Sequence, residues 1–517
     1  MDPAAQRTAP PFPMMQAAPT APSPNGTNVP SAVPVQADGS GSQTATDRAM
    51  TEDEIALYDR QIRLWGMRAQ ERIRSAHVLL ITIRALGNEI AKNLVLAGIG
   101  SLTIVDHQHV TEADLGAQFP QRAAAAGAAA AAVVGMNRAV AASVQLRAMN
   151  PRVRVFVDES DIRTKGPGFF APFNLVIATD LNPDVLNIIN TATRLVDRPF
   201  YAAHTYGYFG YIFADLIEHD FVIVRDRPNV PTQVGTRETP TRTVINVQAQ
   251  PSDEGSPTNP ASAGAKNAAA AAAATAKETV TKRELYSTWL LASDVARLPA
   301  AFMSSARRVR SVTPYLPCLR ALWEFQQIHA VEDHRLPNPQ SVHDIEAFTR
   351  LVSIKQKTLG TPEVKAEQIR LFLQGIAGRE IAPVATTLGG QLAQDVINTL
   401  GQTQQPIQNL MVFDGFSAQA PVYALHPEGL LGRQLLSAAS ATPEAMAAAM
   451  AAAAAAEAAA NGGHGSGSNG IGGSGGSGGS GGNNYGVPTT TTAMPMGMLP
   501  PPIPTLTGQG SLPMAPP

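Results

Sequence analysis

Between His77 and Asp106 (HVLLITIRALGNEIAKNLVLAGIGSLTIVD) the spacing of apolar positions changes twice. His77–Ile83 is a short apolar run, as a buried strand requires. Leu86–Ala97 places Ile90, Leu94 and Ala97 on one face at helical spacing. Ser101–Val105 is a second apolar run, closed by Asp106. Strand, turn, helix, turn and strand make a βαβ unit. A parallel pair joined in this way predicts a doubly wound α/β sheet.

The same pattern places other elements around this unit. Thr51–Ala76 predicts two helical segments hinged at Gly66, opened by a capping box of Thr51 and Glu54. Ile55, Tyr58, Ile62 and Trp65 fall on one face, Arg60 projects roughly opposite, and Arg63 lies nearer the edge. Downstream, Met136–Met149 and Asp184–Leu195 read as helices, while Arg152–Val157, Phe173–Thr179 and Pro199–Ala203 read as strands. The aromatic stretch His204–Val224 suggests paired antiparallel strands crossing the sheet. Order restarts at Arg283–Ala292 and Thr313–Ala330, and amphipathic segments at Asp344–Val352 and Glu363–Ile376 make 286–376 mostly helical. Ile381–Leu400 carries Leu388, Leu392, Val396 and Leu400 on one stripe, with Gly389, Gly390 and Ala393 alongside to admit a close neighbour. Asn409–Gly415 and Val422–Leu425 return the chain to the sheet as paired strands.

Composition divides the 517 residues further. Residues 1–50, 248–285 and 427–517 are rich in Ala, Pro, Ser and Gly, and the last includes an alanine tract and GGSGGSGGSGG. These read as a disordered tail, a disordered insert and a low-complexity tail. They flank a first folded part at 51–247, the helical subregion at 286–376 and a return segment at 377–426. A smaller alanine-rich interruption, Ala123–Ala132, reads as a tolerated loop insertion. Roughly 350 residues remain to form one large domain or two smaller ones.

A formal net charge of −2 gives no electrostatic reason to expect nucleic acid or an anionic membrane as partner. No apolar run reaches the length of a membrane span, and the N-terminus lacks the apolar core of a signal peptide, so a soluble intracellular chain is expected. The single cysteine, Cys318, rules out an intramolecular disulfide and a cysteine-paired zinc site. No base or basic setting for its thiol is legible, and Cys318 reads as a packing residue. His204 and His219 have no cysteine or H-E-x-x-H pattern nearby; they read as structural histidines, and no metal is expected.

The chemistry of the first turn changes the picture most. A nucleotide-binding turn carries G-x-G-x-x-G, whose glycines let backbone approach phosphates at the helix N-terminus. Here it is Thr82-Ile83-Arg84-Ala85-Leu86-Gly87. Only Gly87, the glycine that serves helix–strand packing, survives. Thr82 and Ala85 add a Cβ to the cradle, and Arg84 fills the second glycine position. Asp106 lies 19 residues beyond Gly87, where a ribose-binding carboxylate would sit. The residues predict a nucleotide-binding fold that has lost its own nucleotide.

YDRQIRLWG (Tyr58–Gly66) and LGNEIAKNLVLAGIGSLTIVD resemble the activating enzymes of ubiquitin and ubiquitin-like modifiers. GAQF (Gly116–Phe119), GYFGYIFADLIEHDF (Gly207–Phe221), the blocks APV and LGGQLAQDVI within Ala382–Ile397, and FDG (Phe413–Gly415) narrow the resemblance. Together they are similar to the smaller, non-catalytic (Aos-type) subunit of SUMO-activating enzymes, from about Glu52 to Leu425. An intact site in that family has Asn and Arg before Gln-Phe, and a lysine further on. This chain has Gly116 and Ala117 there, and Gly135-Met136-Asn137-Arg138 in the lysine region. Each departure removes a nucleotide contact.

The resemblance implies a Rossmann-like (ThiF/MoeB-like) pseudo-adenylation domain in a heterodimer. The larger, Uba-type subunit is expected to bind ATP and Mg²⁺, adenylate the C-terminal glycine of SUMO and take it as a thioester on its own cysteine. Arg60, the arginine of YDRQ, is implied to reach in trans to the ATP phosphates in the partner's site; a guanidinium there stabilises departing pyrophosphate and ties activity to assembly. Asp106 is expected to be structural. Nuclear localisation, with some chain in the cytoplasm, is also expected from the resemblance alone. A homodimeric ThiF/MoeB-type adenylyltransferase would need an intact glycine turn and usually Cys-x-x-Cys pairs. A nicotinamide-dependent oxidoreductase is opposed by the same turn. The regulatory subunit of the neddylation-activating enzyme shares the YDRQ motif, but GAQF and FDG favour the SUMO branch.

Overall fold

The βαβ unit forms where the apolar periods place it. β1 (His77–Ile81) and β2 (Ser101–Val105) pair in parallel, with His77 opposite Ser101 and Ile81 opposite Val105. Between them α4 (Ala85–Ala97) is closed by Gly98 at φ +79°, a left-handed cap. In this computed structural model, residues 50–117, 133–249, 277–376 and 380–427 are described. The expected tails from 1 to 49 and 428 to 517, the core of the insert, the alanine interruption 123–132 and Gln118-Phe119 of GAQF lie outside them.

β3 (Arg154–Asp158), β4 (Leu175–Thr179) and β5 (Phe200–Tyr206) extend the parallel sheet, joined through α5 (Arg138–Met149) and α6 (Pro183–Leu195). β6 (Phe209–Asp215), β10 (Leu410–Asp414) and β11 (Val422–Tyr423) add antiparallel strands, giving the order β11-β10-β6-β5-β4-β1-β2-β3. The chain leaves β1 toward β2 and later returns to β4 on the other side, so the topological switch point lies beyond the carboxyl ends of β1 and β4. The doubly wound α/β expectation holds.

Both faces of the sheet are covered, which is why its central strands read as unbroken apolar runs. Val78 and Leu80 face a core with α4, α5 and α10 (Ala382–Gly401). Leu79 and Ile81 face a core with α7 (Tyr315–Ile328), α8 (Val342–Leu359) and α9 (Ala366–Ile376). There Tyr211, Trp289 and Trp323 form an aromatic cluster with ring centroids 4.8–5.5 Å apart. Cys318 is buried on the same helix, and burial pushes its thiol well above the ordinary range. Gly389 of α10 meets α4 closely, since a Cβ there would lie 2.6 Å from Glu89 Cβ and 3.4 Å from Ile90 N. Gly390 has open space instead.

Three expectations need correction. Thr51–Ala76 is three helices, α1 (Glu52–Leu57), α2 (Asp59–Trp65) and α3 (Met67–Ser75), broken at Tyr58 as well as Gly66. Tyr58 turns inward to accept a hydrogen bond from Asn150 Nδ2 at 2.9 Å, whereas Ile55 is exposed, so the predicted stripe is not one continuous buried face. His204–Val224 does not stay in one sheet. β7 (Glu218–Asp226) leaves for a second, antiparallel sheet that also contains β8 (Arg242–Ala249).

The expected insert 248–285 is therefore shorter, because its end, Lys277–Leu285, is strand β9 at the centre of that sheet. Its buried positions alternate as Glu278, Val280, Lys282 and Glu284. Three of the four are charged, which hides the strand from any hydrophobic pattern. Each charge is paired: Glu278 with Arg225, Lys282 with Glu238 and Glu284 with Arg242.

Candidate functional site

The first turn, Thr82 to Gly87, leads from β1 into α4. Thr82 stands at the first glycine position with φ +67°, a conformation that costs a β-branched residue strain and suits glycine. The turn is held in place regardless. Thr82 N–H donates to Val105 O at 2.8 Å, and Thr179 Oγ1 donates to Thr82 O at 2.7 Å. Gly87 remains because a Cβ there would lie 2.7 Å from Thr82 O and 3.2 Å from Thr179 Oγ1. That is the helix–strand packing role read from the sequence.

Asp106 is buried at the end of β2, and both of its oxygens accept backbone N–H groups. Oδ2 takes Ile83 N–H and Oδ1 takes Gln108 N–H, each at 2.9 Å. The carboxylate thus ties the first turn to the loop that follows β2. In the region of the family's lysine, the Arg138 guanidinium is buried against Asp114 at 3.2 Å and reaches Gln108 Oε1 at 2.5 Å. Burial works against charge on Asp114, but hydrogen bonds from Thr111 and the Arg138 charge outweigh it and lower its pKa. Thr82, Arg84, Ala85, Gly87 and Asp106 do converge at the switch point.

Sequence reading missed two members of this cluster. Glu380 Oε1 lies 3.2 Å from Arg84 Nε and accepts Ala85 N–H at 3.3 Å. Asp180, which follows β4 at φ +52°, accepts Thr205 N–H at 3.3 Å. Burial raises the Asp180 pKa, with the Arg84 charge opposing. For Arg84 burial disfavours the charge, but the carboxylates of Asp180 and Glu380 more than offset it and raise its pKa. Asp180 was findable, as an acid at the carboxyl end of a buried strand. Glu380 was not, since 295 residues separate it from Ala85. His204 stacks on Tyr206 with centroids 3.9 Å apart, and burial together with the Arg84 charge pushes its imidazole down to about 3. His219 is pushed down to about 4 by burial, so both histidines are neutral. No group of side chains able to hold a metal ion occurs among the described residues.

Arg60 stands apart from this cluster, on α2. The helices around it are anchored by their other faces. Trp65 Nε1 donates to Gln70 Oε1 at 2.8 Å, Gln70 Nε2 to Ala97 O at 3.1 Å, and Arg72 to Gly401 O at 3.0 Å. Arg60 is exposed and makes no ion pair or hydrogen bond with the described residues. Leu57 of α1 and Leu64 of α2 are 55% and 73% exposed. α2 thus presents one unpaired guanidinium to its surroundings.

A doubly wound sheet whose first turn and following loop retain a nucleotide-binding outline defines a ThiF-like fold. The ThiF family profile matches residues 58–428, and the chain belongs to the ThiF family. Its relatives include the Saccharomyces cerevisiae protein named DNA damage tolerance protein RHC31, 36% identical over 381 residues, covering 72% of this chain and 97% of that one. SUMO-activating enzyme subunit 1 of Homo sapiens is 31% identical over 382 residues, covering 73% of this chain and 97% of its own. DNA damage tolerance protein rad31 of Schizosaccharomyces pombe is 31% identical over 373 residues, covering 72% and 97%. Among the described residues no helix is long and apolar enough to cross a membrane.

Proposed function

We infer that this chain is the smaller, regulatory subunit of a SUMO-activating enzyme, and that Arg60 is its contribution to the reacting centre. The supporting observation is Arg60 itself, exposed and unpaired on a helix whose neighbours are tightly anchored. The relatives named SUMO-activating enzyme subunit 1 supply the reaction class.

In this reading ATP and Mg²⁺ bind in the larger subunit. The carboxylate of SUMO's C-terminal glycine attacks the α-phosphorus, and the bond to pyrophosphate breaks. Negative charge accumulates on the leaving oxygens, and a guanidinium placed beside them stabilises that charge more than it does the ground state. The chain's own switch point does not fit a nucleotide, because Thr82 and Arg84 stand where the fingerprint has glycine and Glu380 takes the Ala85 N–H at the start of α4. The thioester belongs to the larger subunit, since Cys318 is buried with a raised pKa. Residence in the nucleus is part of the proposal and is checked by imaging the tagged full chain.

ATP–pyrophosphate exchange with SUMO tests the reading, using this chain alone, the larger subunit alone, and the two mixed. The expected pattern is silence from this chain alone, exchange on mixing, and a fall of tenfold or more for Arg60→Ala, about 1.4 kcal/mol of transition-state stabilisation. Exchange by the isolated chain, or an unchanged rate for Arg60→Ala in an intact heterodimer, overturns it.

A further inference from the structure

We propose that Glu380 is a built-in anion that occupies the phosphate seat at the start of α4 and keeps the degenerate switch-point site closed to nucleotide. In a working nucleotide fold the free N–H groups at the start of this helix receive phosphate. Here Ala85, the first residue of the 13-residue α4, gives its N–H to Glu380 Oε1 at 3.3 Å. The same oxygen lies 3.2 Å from Arg84 Nε, and the Glu380 side chain is only 8% exposed. Arg84 is the residue that replaced the second glycine of the fingerprint. The guanidinium at the second glycine position and the carboxylate at the start of α4 are therefore a matched pair.

Asp180, at the carboxyl end of β4 with its side chain 1% exposed, acts electrostatically on Arg84, and its Oδ2 has no hydrogen-bond partner among the described residues. Arg138, which could have supplied further positive charge, is held by Asp114. A phosphate entering this place would have to displace a tethered carboxylate and share the Arg84 charge with Asp180. Tethering counts, because a group fixed two residues before α10 competes at an effective concentration that free phosphate matches only at millimolar levels. The ion pair also joins the start of α10 to the start of α4, two helices already packed at Gly389.

The experiment uses the full chain without the larger subunit, so that no second nucleotide site is present. Thermal midpoints are read in rising inorganic phosphate against chloride of equal ionic strength, for the native chain, Glu380→Gln and Glu380→Gln with Arg84→Ala. Glu380→Gln is expected to gain a saturable rise, with phosphate affinity at least tenfold above native, and the double variant is expected to lose it. Equal responses of native and Glu380→Gln, or no response from folded Glu380→Gln, overturn the proposal. Should the variant fail to fold, hydrogen exchange of the Ala85 amide in the native chain decides. Slow exchange that phosphate does not alter supports the seated carboxylate, and exchange at the rate of an open amide rules it out.

Discussion

Asp59 Oδ2 holds the Arg63 guanidinium at 3.0 Å, one helical turn away, and leaves Arg60 between them without a partner among the described residues. Two arginines of one short motif thus have opposite standing. Arg63 is engaged in an exposed i,i+4 pair of the kind that contributes about 0.3–0.5 kcal/mol. Arg63→Ala is expected to leave pyrophosphate exchange by the heterodimer within about twofold of native, against the tenfold loss for Arg60→Ala. Thermal midpoints of both variants should stay near native. Equal losses of exchange would show that general positive charge on α2, rather than Arg60, is what matters.

Gly98 is required twice over. It caps α4 at φ +79°, and a Cβ there would lie 2.5 Å from the Tyr58 ring. Gly98→Ala is expected to cost roughly 2–4 kcal/mol in urea denaturation, from left-handed strain together with overpacking. Tyr58→Phe keeps the ring and loses the hydroxyl that accepts from Asn150 Nδ2, for about 1 kcal/mol. Pairing Gly98→Ala with Tyr58→Ala should recover the clash portion of the loss, which a double-mutant cycle reads directly.

Asp395 of α10 makes stability depend on pH. The Tyr201 hydroxyl donates to its Oδ2 at 2.7 Å, and Ile407 N–H donates to both oxygens at 3.1 and 3.2 Å. Burial nevertheless pushes the carboxyl up to about 6 from an ordinary 3.8, with those hydrogen bonds opposing. Between these values the native state holds a proton that the unfolded chain releases. The contribution is therefore full below the unfolded value and is lost as pH rises through about 6, by up to about 3 kcal/mol. Asp395→Asn should flatten the stability profile across that window. Parallel profiles for native and variant would show that Asp395 titrates normally.

The Arg242–Glu284 pair in the second sheet buries its carboxylate completely, with Nε and Oε2 2.6 Å apart. Arg242→Met leaves that charge uncompensated and is expected to cost about 3–5 kcal/mol. Adding Glu284→Met should restore most of the loss, because an apolar pair of similar volume avoids the desolvation penalty. A double variant no more stable than Arg242→Met would mean that the carboxylate, rather than the pair, holds β8 to β9.

The sequence by itself determined the elements whose signals are local. The βαβ unit, the packing role of Gly87, the return strands at β10 and β11 and the close approach at Gly389 follow from apolar spacing and from small residues at fixed positions. The motif around Arg60 and the broken glycine turn were equally readable, because each lies within a few consecutive residues. Tertiary structure alone decided how charges are spent. Asp106 stands at a ribose-binding spacing, yet its oxygens hold Ile83 and Gln108 amides. Glu380 reaches α4 across 295 residues, and β9 is a central strand although its inward positions are mostly charged. The physical reason is common to all three. Hydrophobic periodicity reports which face is buried, whereas a buried charge is settled by the partner that packing brings to it, and that partner lies anywhere in the chain.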